Sequence, residues 1–248
     1  MIIIKKLPIR SISRISLVGL FLYSSASIIL AKEVNKENNA QVMVEFNAKQ
    51  LQNKLHSIES FNKIDDKTQF IQLIIAVKKN TPTLSQWLTT KDNRQLLTWL
   101  IEQSENKNIT LAKKSIEAMR FFIDINQAKI QLGKLTITKR PEIAISALTA
   151  LANSSLQGKE IITLFKKQLK NANPEIVMAS ITGLVKRQKR DEMSWALKIL
   201  KQKDSRIKNH FAQLIYNKNK KNFANVLQLL TKDPDPLVSN YVKELIKE

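Results

Sequence analysis

The chain has 248 residues, of which 43% are hydrophobic, so it is long enough to form a substantial core. It contains no cysteine, which excludes a disulfide framework, a thiolate metal site and a cysteine nucleophile. The formal charge of +20 favours acidic partners, namely nucleic acid, anionic lipid headgroups, lipopolysaccharide or an acidic protein. A composition rich in Lys, Asn and Ile is also typical of an AT-rich genome, in which case part of this charge serves only solubility.

The first 31 residues have the pattern of a bacterial secretory signal peptide. Four basic residues precede an uncharged stretch from Ile15 to Ala31, and the first acidic residue is Glu33. Cleavage is expected after Ala26 or Ala31, giving a periplasmic or secreted protein. The alternative is an uncleaved inner-membrane anchor that faces the periplasm, because about 17 uncharged residues lie at the lower limit for spanning a bilayer.

The next segments are a linker and a set of amphipathic helices. Residues 32–40 are polar and without periodicity, which predicts a flexible linker. Residues 41–107 are predicted to be N-terminal helices, or degenerate repeats. Apolar spacing and helix-start signals place these helices at Gln41 to Lys63, Thr68 to Lys79, Thr83 to Thr90 and Asn93 to Ser104.

Residues 108–248 repeat with a period of about 31 to 33 residues. Four segments align without gaps: PEIAISALTAL from Pro141, PEIVMASITGL from Pro174, SRIKNHFAQLI from Ser205 and PLVSNYVKELI from Pro236. Each begins with Pro or Ser, which suits a helix start. The third residue is always Ile or Val and the eleventh always Leu or Ile, so both columns lie on one helical face. A weaker copy begins near Asn108.

A second amphipathic helix is predicted between successive copies, at Glu160 to Lys170, Asp191 to Lys201 and Asn222 to Lys232. A helix pair of this length cannot bury its apolar face alone, so neighbouring pairs must stack to share a core. The sequence therefore predicts an all-α fold.

The pattern resembles the HEAT-like repeats of armadillo-type superhelices, in particular the short bacterial variety. The resemblance covers residues 108–248 and rests on the Pro-x-Ile/Val openings, the small mid-helix residues Ala147 and Ser180, and the Asp-Pro pairs between Asp233 and Pro236. It implies a right-handed α-solenoid of stacked antiparallel helix pairs. Such arrays bind extended partners on a concave surface.

Two groups of basic residues are candidate partner-binding sites. The basic edge lies in the turns after successive first helices and is predicted to form one ridge of positive charge, from Lys186, Arg187, Lys189, Arg190, Lys218, Lys220 and Lys221. The inner face is expected on the second helix of each pair, with Lys166, Lys167, Lys170, Lys198 and Lys201. A merely solvated basic surface is the alternative for both groups. Trp99 and Trp195 are predicted core residues, although Trp87, Trp99 and Trp195 are the residue type that anchors partners.

No catalytic or metal-binding pattern is present in the sequence. It has no Gly-rich phosphate loop or nucleophile elbow, and His56 and His210 have no metal-ligand spacing around them. Glu117 and Asp124 are predicted to share one face of a helix, as surface carboxylates often do. We therefore expect no cofactor and no enzymatic activity.

Three functions remain open from the sequence. The first is an exported protein-interaction scaffold, and the second is a binder of an anionic polymer or membrane surface, such as lipopolysaccharide or nucleic acid. The third is an enzyme similar to the HEAT-like DNA glycosylases, which an exported location would separate from the chromosome.

Overall fold

A computed structural model describes residues 49–58, 61–80, 89–155, 158–187, 193–219, 221 and 223–247 of the chain. All secondary structure in these ranges is helical, which confirms the all-α prediction. Residues 51–248 belong to one compact unit. The predicted signal peptide, its alternative anchor and the linker lie outside the described residues. No helix within the described ranges has the length and apolarity required to cross a membrane.

The helices follow one another with short connections. Residues 49–55 are helical. The later helices are α1 Ile64–Asn80, α2 Thr90–Ser104, α3 Ile109–Met119, α4 Asn126–Leu135, α5 Pro141–Asn153, α6 Lys159–Gln168, α7 Pro174–Arg187, α8 Met193–Leu200, α9 Ser205–Asn219, α10 Ala224–Leu230 and α11 Pro236–Lys247.

Helix starts follow the predicted signals in the repeat region. Helices α5, α7, α9 and α11 begin at the Pro or Ser that opens each repeat, as predicted. Asn108 caps α3 by accepting a hydrogen bond from the backbone N–H of Leu111 at 3.0 Å. Helix α2 begins three residues earlier than predicted because Thr89 and Asp92 form a reciprocal capping box, with bonds of 3.1 and 2.9 Å.

Other boundaries differ from the predictions. The helix predicted to reach Lys63 ends near residue 55, and residues 56 and 57 form a turn. The structure contains α4, which the sequence did not predict. Helices α6, α8 and α10 end one or two residues earlier than predicted, and the helix predicted at Thr83 to Thr90 falls almost entirely outside the described residues.

The two apolar columns of the repeat form the core of residues 108–248. All members of the first column are at most 5% exposed, namely Leu111, Ile143, Ile176, Ile207 and Val238. The second column is equally buried at Met119, Leu151, Leu184 and Ile215. Ile246, its last predicted member, is only half-buried, and Leu245 takes the buried position instead. The predicted columns are therefore confirmed except at the end of α11. Trp99 and Trp195 are also buried, as predicted.

The odd-numbered helices form a row in which each contacts the next, from α1 through α3, α5, α7 and α9 to α11. Small, fully buried residues permit close approach along this row, namely Ser115, Ala147 and Ser180. Each even-numbered helix packs against the odd-numbered helix that follows it. Within the described ranges, α4, α6, α8 and α10 make at most slight contact with one another.

Hydrogen bonds also join residues about one repeat apart. Arg140 donates to the carbonyl of Asn106 at 3.0 Å across 34 positions, and Gln202 donates to the carbonyl of Leu169 at 3.2 Å across 33. Segments that align in sequence are therefore neighbours in space. The connecting loops repeat as well, because three of them have, at the same position before the next helix, a side-chain oxygen that accepts the backbone N–H two residues later, from Asn106, Asn171 and Asp233.

Candidate binding surfaces

The structure brings together three members of the predicted basic edge. Lys186 and Arg187 lie at the C-terminal end of α7, and Lys218 lies in the last turn of the neighbouring α9. Burial, together with the positive charge of Lys186, lowers the pKa of Lys218. Lys221 is exposed in the following turn. The remaining predicted members lie outside the described residues, namely Lys189, Arg190 and Lys220.

Arg187 and Lys218 direct their charges at the C-terminal ends of neighbouring helices. Arg187 donates to the carbonyls of Leu151 and Ser154 at the end of α5, the second at 2.7 Å. Lys218 donates to the carbonyl of Val185 at 2.8 Å, in the last turn of α7. Carbonyls at the C-terminal end of a helix carry the negative end of the helix dipole, and that of Leu151 also accepts the backbone N–H of Ser154. Both cations therefore cap the preceding odd-numbered helix, and burial lowers the pKa of Arg187.

The lysines predicted on the inner face lie on α6, on α8 and in the turns that follow them. Lys166 is half-buried, and the other four are exposed, namely Lys167, Lys170, Lys198 and Lys201. Helices α6 and α8 each pack on the next odd-numbered helix, so their lysines lie on the opposite layer from α5, α7 and α9. The structure thus separates these lysines from the odd-numbered row.

A groove of about 520 Å³ lies between α3 and α5, on the exposed side of the odd-numbered row. Helix α3 and the turn after it contribute Thr110, Lys113, Lys114, Glu117 and Arg120, and helix α5 contributes Ile145, Ser146, Thr149, Ala150 and Asn153. The lining combines three cations, one carboxylate, hydroxyl groups and a small apolar floor. At one end Lys186 donates to the side-chain oxygen of Asn153 at 2.7 Å, which brings a fourth cation to the rim.

Arg120 has the most constrained cation in this groove. Its guanidinium lies 4.5 Å from the centre of the Phe121 ring, a cation–π contact that restrains its plane. Its Nε atom is enclosed and makes no hydrogen bond to any described residue. An enclosed Nε is out of reach of a bound molecule, so Arg120 presents its terminal Nη groups to an acceptor in the groove.

Further along the same row, side chains bridge neighbouring helices. Thr182 on α7 and Nε2 of His210 on α9 lie 2.9 Å apart, and Tyr241 on α11 donates to Gln213 on α9. Since Thr182 donates its hydroxyl proton to Met178, its oxygen is available to accept from His210. Burial lowers the pKa of His210, which favours the neutral imidazole at neutral pH. Between α3 and α5 no such bridge exists among the described residues, and the groove lies there.

Sequence reasoning missed the groove residues. Lys113, Lys114 and Glu117 stand two, three and six positions after the first core column, where the next repeat has Ile145, Ser146 and Thr149. In a helix these offsets place side chains beside the core face, toward the same exposed side. Comparing those columns between repeats would have shown that cations concentrate in the earliest copy.

The carboxylate prediction is wrong in one respect. Helix α3 ends at Met119 and a short 3₁₀ turn follows, so Asp124 does not share a helix with Glu117. Within the described ranges, no three His, Asp or Glu side chains converge as a metal site would require.

Comparison of the chain with protein-family models, curated proteins and solved structures found no match. The resemblance to HEAT-like repeats therefore remains a prediction. The all-helical packing is compatible with it.

Proposed function

We propose that the chain is an exported, non-enzymatic scaffold, a right-handed HEAT-like α-solenoid that binds a protein partner on its inner face. The observation that carries this proposal is the continuous row of odd-numbered helices, each in contact with the next. Stacked helix pairs of this kind present an extended surface that suits a protein partner. Export rests on the signal-peptide pattern of the first 31 residues.

The inner face of the proposed solenoid lies on the odd-numbered helices. In a curved array of two layers, the helices of the inner layer are closer together than those of the outer layer. Contacts are extensive along the odd-numbered row and slight among α4, α6, α8 and α10. The inner face is therefore proposed on the odd-numbered helices, and not on the helices carrying Lys166 and Lys198 as expected from the sequence.

The exposed side of the row has the features of a pre-organised binding surface. Cross-helix hydrogen bonds fix Thr182 against His210 and Gln213 against Tyr241. Tyrosine and half-buried polar side chains held in this way lose little conformational entropy on binding. The surface thus supports recognition of a protein with modest ordering cost.

Site-specific photo-crosslinking in cells tests this function. A photoreactive amino acid at Asn217 on α9 is expected to capture a discrete envelope protein, whereas one at Lys198 on α8 is expected to capture none. Fractionation and mass spectrometry of the mature N-terminus, expected after Ala26 or Ala31, test export in the same cells. Equal capture from both positions, or a full-length cytoplasmic chain, would overturn the proposal.

The alternative is a binder of an anionic polymer or membrane surface, favoured by the formal charge of +20. Exposed Lys186 and Lys221 would contribute, while Arg187 and Lys218 already cap helix ends. Binding of this kind weakens steeply with added salt. Titration of lipopolysaccharide or single-stranded DNA at two salt concentrations tests this alternative, because the scaffold is expected to bind neither polymer.

A further inference from the structure

We propose that the groove between α3 and α5 binds an acidic, extended segment of the protein partner, with Arg120 as a carboxylate ligand. This inference rests on the proposed function and names the partner's chemistry. The groove lining is net positive, because it has three cations, Lys113, Lys114 and Arg120, and one carboxylate, Glu117. Lys186 adds a further positive charge beside Asn153.

The character of the groove favours a peptide over a nucleic acid. Glu117 lies among the cations and would repel a continuous line of phosphates, whereas a peptide can place a backbone N–H or a hydroxyl beside it. The apolar floor from Ile145 and Ala150 suits peptide methylene groups better than phosphate oxygens. An acidic peptide satisfies both features.

The dimensions of the groove set the length of the segment. Helix α3 has 11 residues, which corresponds to roughly 16 Å of helix at 1.5 Å per residue. An extended peptide rises about 3.3 Å per residue, so about five residues cover this length. Alternate side chains point the same way in an extended strand, and two acidic residues two positions apart would therefore face Lys113, Lys114 and Arg120 together.

Arg120 differs from the lysines because it is already positioned. The Phe121 ring restrains its guanidinium, whose terminal nitrogens can meet a carboxylate in the groove. A carboxylate accepts two parallel N–H bonds from a guanidinium, which gives geometry as well as charge. Lys113 and Lys114 are flexible and add electrostatic attraction for the peptide around the positioned guanidinium of Arg120.

Fluorescence anisotropy with the purified mature chain tests the inference. The probe is a labelled hexapeptide of alternating Glu and Ser, and an alternating Gln and Ser peptide is the neutral control. Arg120→Met is expected to raise the Kd of the acidic peptide about tenfold, the effect of removing one charge-assisted contact. Lys167→Met removes one exposed charge from α6 and is expected to change the Kd by less than about twofold.

A second variant keeps the test independent of folding defects in Arg120→Met. Glu117→Gln removes the only carboxylate in the groove lining and is expected to tighten binding severalfold. Equal effects of Arg120→Met and Lys167→Met, an unchanged Kd in Glu117→Gln, or equal binding of the neutral peptide would each overturn the inference. Displacement of the peptide by a six-nucleotide DNA at similar concentration would also overturn it, in favour of a polyanion site. If a partner is captured at Asn217 but the acidic peptide does not bind, the scaffold function is retained and only the proposed role of the groove is wrong.

Discussion

The Nζ atom of Lys208 on α9 lies 2.8 Å from a carboxylate oxygen of Asp233, and both side chains are almost completely buried, at 8% and 6% exposure. This ion pair joins α9 to the loop before α11. The second Asp233 oxygen, 3.0 Å from Nζ, also accepts the backbone N–H of Asp235. One buried pair therefore fixes both a helix packing and a loop conformation.

Removing one partner of this pair is expected to destabilise the fold strongly. Lys208→Met leaves a buried carboxylate without its cation, and a loss of about 3–5 kcal/mol in the free energy of unfolding is expected. The double variant Lys208→Met with Asp233→Asn removes both charges and keeps an acceptor for Asp235, so it is expected to recover much of this loss. Urea unfolding followed by circular dichroism measures both. A double variant that is less stable than the single one would contradict this account.

Arg187 is expected to contribute more to stability than its neighbour Lys186. Arg187→Met removes the guanidinium donor from the carbonyls at the end of α5, and a loss of about 1–3 kcal/mol in the free energy of unfolding is expected. Lys186→Met removes the same charge from an exposed side chain and is expected to change stability by less than about 0.5 kcal/mol. Thermal unfolding at one pH compares the two variants. If both variants lose the same stability, the loss comes from the change in net charge and not from helix capping.

Lys78 gives stability an alkaline pH dependence. Burial lowers its pKa to about 8 from 10.5, although its amino group lies 2.8 Å from an Asn93 oxygen and over the Phe122 ring. Between these two pH values the unfolded chain binds more protons than the folded chain, so unfolding free energy rises with pH through this window. Relative to Lys78→Met, the native chain is expected to become more stable from pH 7 to pH 10.

The exposed neighbour Lys79 provides the control for this pH dependence. Lys79→Met removes one positive charge from an exposed side chain, and its stability is expected to follow that of the native chain across the same pH range. If Lys78→Met also follows the native chain, the burial of Lys78 does not govern the dependence.

Two glycines offer a matched test of packing. A β-carbon at Gly183 would lie 2.4 Å from atoms of the Phe165 ring, whereas one at Gly133 would lie 3.9 Å from Leu164. Gly183→Ala is expected to lose about 1–3 kcal/mol through overpacking. Gly133→Ala is expected to be neutral or to gain up to about 1 kcal/mol, because alanine favours helix. If chemical unfolding shows that Gly183→Ala is more stable than the native chain, Phe165 and α6 move enough to accommodate the added methyl group.

The repeat region of the fold was predictable because its signals are local. Prolines and a serine mark the starts of α5, α7, α9 and α11, and aliphatic columns mark their buried faces. Both kinds of signal are weaker in α4, since no side chain caps its start and a polar residue, Gln131, lies among Ala128, Leu132 and Leu135 on its buried face. Gln131 is accommodated there by a bond of 3.0 Å to Glu105, 26 residues earlier, which no local pattern indicates.

The candidate sites were less predictable than the fold. Lys218 is one charge among many in the sequence, and its acceptor is a backbone carbonyl 33 residues earlier, which any residue type would provide. Charge counting therefore does not separate capping cations from exposed ones. The groove depends on the spacing of α3 and α5 and on the absence of bridging side chains within the described residues, which are properties of the packing.

The capping contacts at Arg187 and Lys218 give the array a direction. Arg187 at the end of α7 caps the C-terminal end of α5, and Lys218 on α9 caps that of α7. In both cases the cap comes from the odd-numbered helix that follows. Losing a repeat from the C-terminal side would thus uncover helix carbonyls in the repeat that remains, while losing one from the N-terminal side would leave the remaining ends covered. Loss of α9 would remove the cap on α7, and loss of α7 would remove the cap on α5, so the two ends of this row of helices are not equivalent starting points for unfolding.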